Sequence, residues 1–256
     1  MKAPTPRILP TLTIEEKNSL QALRINARIT NFMKKIFPLL AIVSMALVVA
    51  GCSTIKPLRA PYEVTAYKPK NPANVKVKVS LQNRAVYVME GDKPLLVTAT
   101  AIGLPTNPTP KGHFKVFNKI ANKRSNSYGF WVRGNDIVAA KSSQRPAGTG
   151  WNYVGFPMQW WVEFHPAYGF HVGSVWPTPR THGCLRLHEN AARQFYDLTR
   201  LGTPVYIAET QPEDATIGRD IKRPHDYNDP DPHPSFTISP AVFKIRPGTE
   251  LKANPY

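Results

Sequence analysis

Val75-Lys76-Val77-Lys78-Val79 alternates apolar and cationic side chains over five residues. A strand repeats every two residues, so this stretch puts valines on one face and lysines on the other, the pattern of a half-buried β-strand. Working forward, Gln82-Asn83 offers a turn into Ala85-Val86-Tyr87-Val88-Met89. Glu90-Gly91-Asp92-Lys93 offers a second turn into a strand from Leu95 to Ile102. A Pro/Gly loop from Gly103 to Gly112 precedes Phe114-Lys115-Val116-Phe117. Further short strands are expected at Phe130-Trp131-Val132, Trp160 to Phe164, Gly169 to His171 and, after Pro204, at Val205-Tyr206-Ile207. Strands at this spacing predict a mainly β domain, a sandwich or barrel-like fold with one or two short helices. The helix candidate starts at Glu189 or Asn190, has Ala192, Phe195 and Leu198 as its inner stripe and Arg200 in its last turn, and stops at Leu201-Gly202.

Composition fits one such domain with extended flanks. The chain has 256 residues, 42% of them apolar, enough for one sizeable core and against global disorder. Its 26 prolines collect outside the middle. The formal charge of +16 raises nucleic-acid binding. Residues 1–60 hold nine Lys/Arg against two Asp/Glu, residues 61–209 eighteen against eight, and the remainder six against seven. Much of the excess therefore sits in the N-terminal segment, and neither zinc-finger spacing nor a basic heptad helix occurs. No nucleic-acid partner is expected; a basic face suits anionic polymers or lipids.

Outward to the N-terminus, Met33-Lys34-Lys35 leads into an apolar stretch of fifteen residues, Ile36 to Ala50, broken only by Ser44. A helix needs about 20 residues to cross a bilayer core, so the segment has signal-peptide rather than membrane-span length. Ala50-Gly51-Cys52 resembles the lipobox of bacterial lipoproteins. That resemblance implies a signal peptide over 33–51, cleavage before Cys52 and lipid on its thiol; an uncleaved anchor is the alternative. Ser53 after the lipidated cysteine implies sorting to the outer membrane of a two-membrane cell. Residues 1–32, with a capping box at Thr13-Ile14-Glu15-Glu16, read as an over-extended start or a cytoplasmic extension. Residues 52–74 read as anchor and semi-extended tether, 75–208 as the domain, and 209–256 as a Pro-rich, mostly irregular tail in which Phe236 to Phe243 has the apolar content to dock back.

The second cysteine lies in Thr181-His182-Gly183-Cys184-Leu185-Arg186-Leu187, thirteen residues after His171. A thiolate is the nucleophile, and a free thiol near pKa 8.5 needs a base at neutral pH. His171 can take that proton, because the intervening Gly173, Pro177 and Pro179 make a loop that folds back. No acid lies between Val172 and Leu187, so an orienting partner from this segment is a backbone carbonyl or the Thr181 hydroxyl. Amides at Gly183 and Cys184 are candidates for stabilising an oxyanion, and Arg186 suits a substrate carboxylate. An inert core thiol, a disulfide with Cys52, a zinc site drawn from His165, His171, His182, Cys184 and His188, and an Arg186–Glu189 surface pair are the competing readings. No metal or cofactor is expected.

The run Phe170-His171-Val172-Gly173-Ser174, followed by Pro177-Thr178-Pro179-Arg180 and Thr181 to Leu187, resembles the signature of the L,D-transpeptidase family. Phe156 to Phe164 resembles the aromatic strand that precedes it, and Pro108 to Phe114 its first-half loop. The resemblance implies a β-sandwich that acts on peptidoglycan stem peptides with Cys184 as nucleophile, His171 as base, and Thr181, His182 and Gly183 shaping the pocket. It also implies carbapenem acylation of Cys184, and an acceptor that is a neighbouring stem or a lipoprotein. Met158, Trp160 and Trp176 are the further candidate substrate-facing side chains, while Trp161 is expected in the core. Thr181 stands where serine is commoner, and Gln159 where many members have proline. An L,D-carboxypeptidase with water as acceptor and a non-catalytic peptidoglycan-binding lipoprotein remain the alternatives.

Overall fold

The structure, a computed structural model, describes residues 62–244 and 250–256. The expected signal segment, Cys52 and the first part of the tether lie outside the described residues. Among the described residues, ten strands form: β1 (Val75–Ser80), β2 (Ala85–Glu90), β3 (Lys93–Ala99), β4 (Gly112–Lys115), β5 (Asn118–Arg133), β6 (Asp136–Lys141), β7 (Asn152–His165), β8 (Tyr168–Val172), β9 (Leu185–Leu187) and β10 (Pro204–Ala208). The α-helices α1 (Glu189–Leu198) and α2 (Pro234–Ile238) accompany them among the described residues, with short 3-10 turns. The strands make two five-stranded sheets, in the orders β3-β2-β1-β10-β4 and β6-β5-β7-β8-β9. Most neighbours are antiparallel, but β1 pairs β10 in parallel and β8 pairs β9 in parallel.

The alternation in β1 does what its period requires. Val75, Val77 and Val79 are buried in a core shared with Val86 and Val88 of β2, Phe164 of β7, Phe170 of β8, and Leu185 and Leu187 of β9. Ala192, Phe195 and Leu198 of α1 close that core, the stripe expected from their spacing. The helix ends earlier than expected, however. His188 caps its N-terminus through Nδ1, and Thr199 is its C-cap, so Arg200 lies in the turn beyond the helix.

The second sheet holds the largest departures. Phe130-Trp131-Val132 is the end of a strand of 16 residues, and Trp160 to Phe164 the end of one of 14. The polar run Asn122 to Ser127 carries no apolar alternation, yet β5 continues through it because β7 pairs with its first half, Lys123 opposite Met158, and resumes just beyond it, Gly129 opposite Gly155. Register shifts between Arg124 and Gly129, which marks where the polar run bulges. β3 stops at Ala99, short of the expected Ile102.

Both flanks are more ordered than their composition predicts. Residues 62–74 do not run as a free tether: Ala66 is buried and bridges Leu96, and the Tyr67 amide donates to the Leu95 carbonyl. The tail is corrected in the same way. Asp214 accepts hydrogen bonds from the Tyr87 hydroxyl (2.7 Å), the Ser80 hydroxyl (2.8 Å) and the Gln211 amide (2.9 Å). Tyr87 and Ser80 are both fully buried, so the outer face of β1 and β2 needs a polar cover, and the tail supplies it. Farther along, the Arg124 guanidinium donates to the carbonyls of Thr237, Ile238 and Ser239 at 3.0–3.2 Å. The Gln159 amide donates to the Phe243 carbonyl at 2.9 Å. Phe236 to Phe243 thus docks onto β5 and β7.

Candidate active site

The expected base lies on β8, and β9, its parallel neighbour, begins one residue after the expected nucleophile Cys184. Their parallel register sets Phe170 opposite Leu185, His171 opposite Arg186 and Val172 opposite Leu187. Phe170, Leu185 and Leu187 are fully buried toward the core. His171 and Arg186 therefore point to the other face, and Cys184, two residues before Arg186, shares it. Cys184 is a free, half-buried thiol. Its Sγ lies 3.8 Å from the Ala167 carbonyl, to which it donates as a thiol.

The imidazole is oriented by its own chain. His171 Nδ1 lies 2.7 Å from the Val172 carbonyl. A carbonyl can only accept, so Nδ1 carries the proton and Nε2 presents its lone pair, the tautomer a general base needs. Of the two orienting partners the sequence allowed, the backbone carbonyl is the one used. Burial, with the Arg186 cation second and against the Val172 carbonyl, pushes His171 down to about 4. Burial also raises the Cys184 thiol above its ordinary value, with Glu163 adding to the rise and the Gly169 amide and Arg186 opposing it. Burial thus keeps the imidazole unprotonated and the thiol protonated at rest.

Thr181 builds the turn that presents the thiol. Its hydroxyl donates to the Cys184 carbonyl at 2.6 Å and accepts from the Gly183 amide at 3.1 Å. The Gly183 amide is thus engaged, which corrects its assignment as an oxyanion donor and leaves the Cys184 amide as the better candidate. Gly183 sits at φ +103°, and a Cβ there would meet the Tyr168 ring at 2.3 Å. Only glycine fits this position without displacing that ring. Gly183→Ala is expected to cost about 2 kcal/mol or more of stability and most of the activity, because the turn carries the thiol. A denaturant melt beside an assay of thiol reactivity checks both; wild-type values in each would contradict this account of the turn.

The other expected residues separate. Trp176 lies on the loop between base and nucleophile, with the Arg180 guanidinium 4.2 Å over its ring. His182 is exposed and stacks on Tyr128 of β5, ring centres 4.6 Å apart. Arg186 reaches along the site over Gly173, where a Cβ would meet its Cδ at 2.8 Å. Trp160 does not face the pair. It lies on the core side of β7 with Val162 and Phe164, and its ring packs on Tyr196 and under Arg193 of α1. Its neighbour Trp161 is buried as expected, and it is the one whose ring lies 6.0 Å from that of His171. Met158 is half-buried opposite Lys123. His165 packs edge-on against Phe114 and Tyr168, and His188 is spent on its helix cap.

Glu163 escaped the sequence reading. Its carboxylate accepts from Trp161 Nε1 (3.1 Å), Asn118 Nδ2 (2.8 Å) and the Ala167 amide (3.1 Å). It thereby fixes both the ring beside His171 and the hairpin whose carbonyl faces the thiol. Its signal was there to find, because Glu163 is the only acid between Asp136 and Glu189. Asp226 and Tyr227 also reach this side from the tail. The Val175 amide donates to Asp226 at 3.2 Å, and the Tyr227 ring lies 5.3 Å from that of Trp176.

Chemically, a thiol, an oriented neutral imidazole and an unengaged guanidinium on one face can carry out acyl transfer through a thioester. A family model described as the YkuD L,D-transpeptidase catalytic domain matches residues 74–207. Among solved structures, the chain is similar to an L,D-transpeptidase from Stackebrandtia nassauensis at 18% identity and a TM-score of 0.40, covering 63% of each chain. It is also similar to an L,D-transpeptidase from Mycobacterium smegmatis, at 17% identity and a TM-score of 0.40, covering 53% of this chain and 58% of that one. The catalytic domain of the E. faecium enzyme is matched at 23% identity and a TM-score of 0.38, over 52% of this chain and 96% of that one. The chain thus spans less than two thirds of the length of the first two of these structures. No curated protein matches the chain.

Proposed function

The chain belongs to the L,D-transpeptidase catalytic-domain family, and from that premise we propose that it transfers the acyl group of a peptidoglycan stem peptide through a thioester on Cys184. The observation that carries this reading is the shared face of β8 and β9, which holds Cys184, His171 and Arg186 with the His171 tautomer set by Val172. His171 Nε2 takes the thiol proton as the sulfur attacks the carbonyl between the L-centre of diaminopimelate and D-alanine. The proton then passes to the leaving amine, D-alanine departs, and an amine from a second stem or from a lipoprotein resolves the thioester. Developing negative charge on the carbonyl oxygen is met by the Cys184 amide. Arg186 holds a carboxylate of the donor.

The same proposal makes the protein a lipoprotein of the cell envelope, attached through lipid on Cys52 and facing the periplasm from the outer membrane. Its support is the fifteen-residue apolar segment that ends in Ala50-Gly51-Cys52. Peptidoglycan stems and a membrane are then its partners. One experiment addresses both halves. The protein recovered from membranes is expected to begin at a lipid-modified Cys52 by mass spectrometry and, given muropeptides, to release D-alanine and form crosslinked products. Trimmed products alone would assign water as the acceptor, and no D-alanine at all would end the enzymatic reading.

A further inference from the structure

The loop that presents Cys184 carries two guanidinium groups, and the sequence reading used only Arg186. Arg180 and Arg186 stand on the two arms of the loop around the nucleophile. Both arms are sewn to the same short segment: the Arg180 amide donates to the Ile102 carbonyl at 3.0 Å, while Arg186 exchanges backbone hydrogen bonds with Ala101 at 3.1 Å. Among the described residues, the Arg180 side chain forms neither a salt bridge nor a hydrogen bond. It has a support instead, the Trp176 ring 4.2 Å below it. Trp176 rests in turn on Tyr227, and Asp226 ties the neighbouring Val175 amide. An exposed arginine without an ion pair ordinarily samples many rotamers, and a stack of two aromatic rings from two chain segments limits that freedom.

We infer that Arg180 is a second carboxylate-binding residue of the donor site, held ready by Trp176 and by the tail residues Tyr227 and Asp226 as positioning residues. The inference rests on the reading of this face as a stem-peptide site. Its ligand is an anionic donor peptide, and the chemistry it recognises is a free carboxylate near the acyl centre. The planar fork of a guanidinium matches that group, and a ring-supported fork loses little freedom on binding it. The tail is then part of the site although it lies outside the matched residues 74–207. The two guanidiniums are close enough to act on each other electrostatically, and Asp231 of the tail offsets part of that repulsion at Arg186.

The test compares a stem tetrapeptide with its side-chain carboxylate free and the same peptide with that carboxylate amidated. Binding is measured by calorimetry on the Cys184→Ala protein, and D-alanine release on the protein with Cys184 intact. Arg180→Ala is expected to weaken binding of the free acid about tenfold and to raise KM by a similar factor with kcat nearly unchanged. It should leave the amidated peptide almost unaffected. Tyr227→Ala should move in the same direction, and Tyr227→Phe, which keeps the ring, should behave as wild type. Equal losses on both peptides, or no loss on either, would overturn the assignment of Arg180. Binding that depends on Arg180 without any D-alanine release would uphold this inference and sink the proposed reaction; release that is indifferent to Arg180 would do the reverse.

Discussion

Replacing Cys184 by alanine is expected to lower D-alanine release by about 10^4-fold or more, to the level left by binding and a single amide alone. The substitution removes only a sulfur from a half-buried position. Its side chain is held only by a 3.8 Å contact to the Ala167 carbonyl and by the Gly169 amide, both weak bonds to a thiol. Stability should therefore change little, which separates a chemical role from a structural one. A melt that matches wild type beside an assay without turnover is the expected pair of results. If Cys184 were an inert thiol, the same variant would keep its activity.

The second large effect concerns His171. Its alanine variant is expected to lose about a thousandfold in acylation rate, the range a positioned general base contributes. The pH profile is the sharper readout. Burial and then Arg186 hold the imidazole down to about 4, so it stays an unprotonated base well below neutrality. The acid limb of kcat/KM in the free enzyme should fall near that value rather than near the ordinary 6.5. Stability carries the same sign. The unfolded chain takes up a proton near pH 6.5 and the folded one only near 4, so stability contributed by this residue is full above 6.5 and is lost as the pH drops between the two. The thiol, raised by burial, stays protonated at neutral pH, so simple alkylation of Cys184 should climb with pH through the alkaline range instead of levelling near 6. An early plateau would mean that the resting pair is an ion pair, contrary to this account.

How far the sequence reaches can be judged residue by residue. β1 was legible because one of its faces is buried and the other is not, which prints a period of two on the chain. α1 was legible for the same reason at a period near four, and its end was missed because Thr199 closes it before the glycine does. β5 was hidden, since the first half of Asn122 to Ser127 is held by partners on β7 and not by its own pattern. Cys184 and His171 stood out as candidate nucleophile and base because glycine, histidine and cysteine cluster in one short stretch of the chain. Trp160 shares the core side of β7 with Val162 and Phe164, which its spacing from them allows, while the buried Trp161 is the ring near His171, a proximity no residue type announces. Glu163, Tyr227 and Asp226 act through contacts that close only in three dimensions.

The tail shows the same limit on a larger scale. Its prolines and acids read as an irregular extension, and locally that fits the described part of the tail, which forms short helical turns and one isolated bridge from Lys252 to Tyr67. What composition does not reveal is that Asp214, Asp226 and Thr237 each meet a specific polar group on the domain. Such a segment buys its order from hydrogen bonds to the sheets rather than from a core of its own.

The central claim is a covalent one, a thioester on Cys184, and intact-mass analysis tests it most directly. The protein would be mixed with a stem tetrapeptide donor without an acceptor, quenched in acid within one turnover, weighed and then digested. The account predicts an added mass equal to the donor minus D-alanine, mapped to the peptide that contains Cys184, absent from Cys184→Ala and accumulating far more slowly in His171→Ala. Release of D-alanine with no adduct in the wild type, or an adduct that persists in Cys184→Ala, would contradict it.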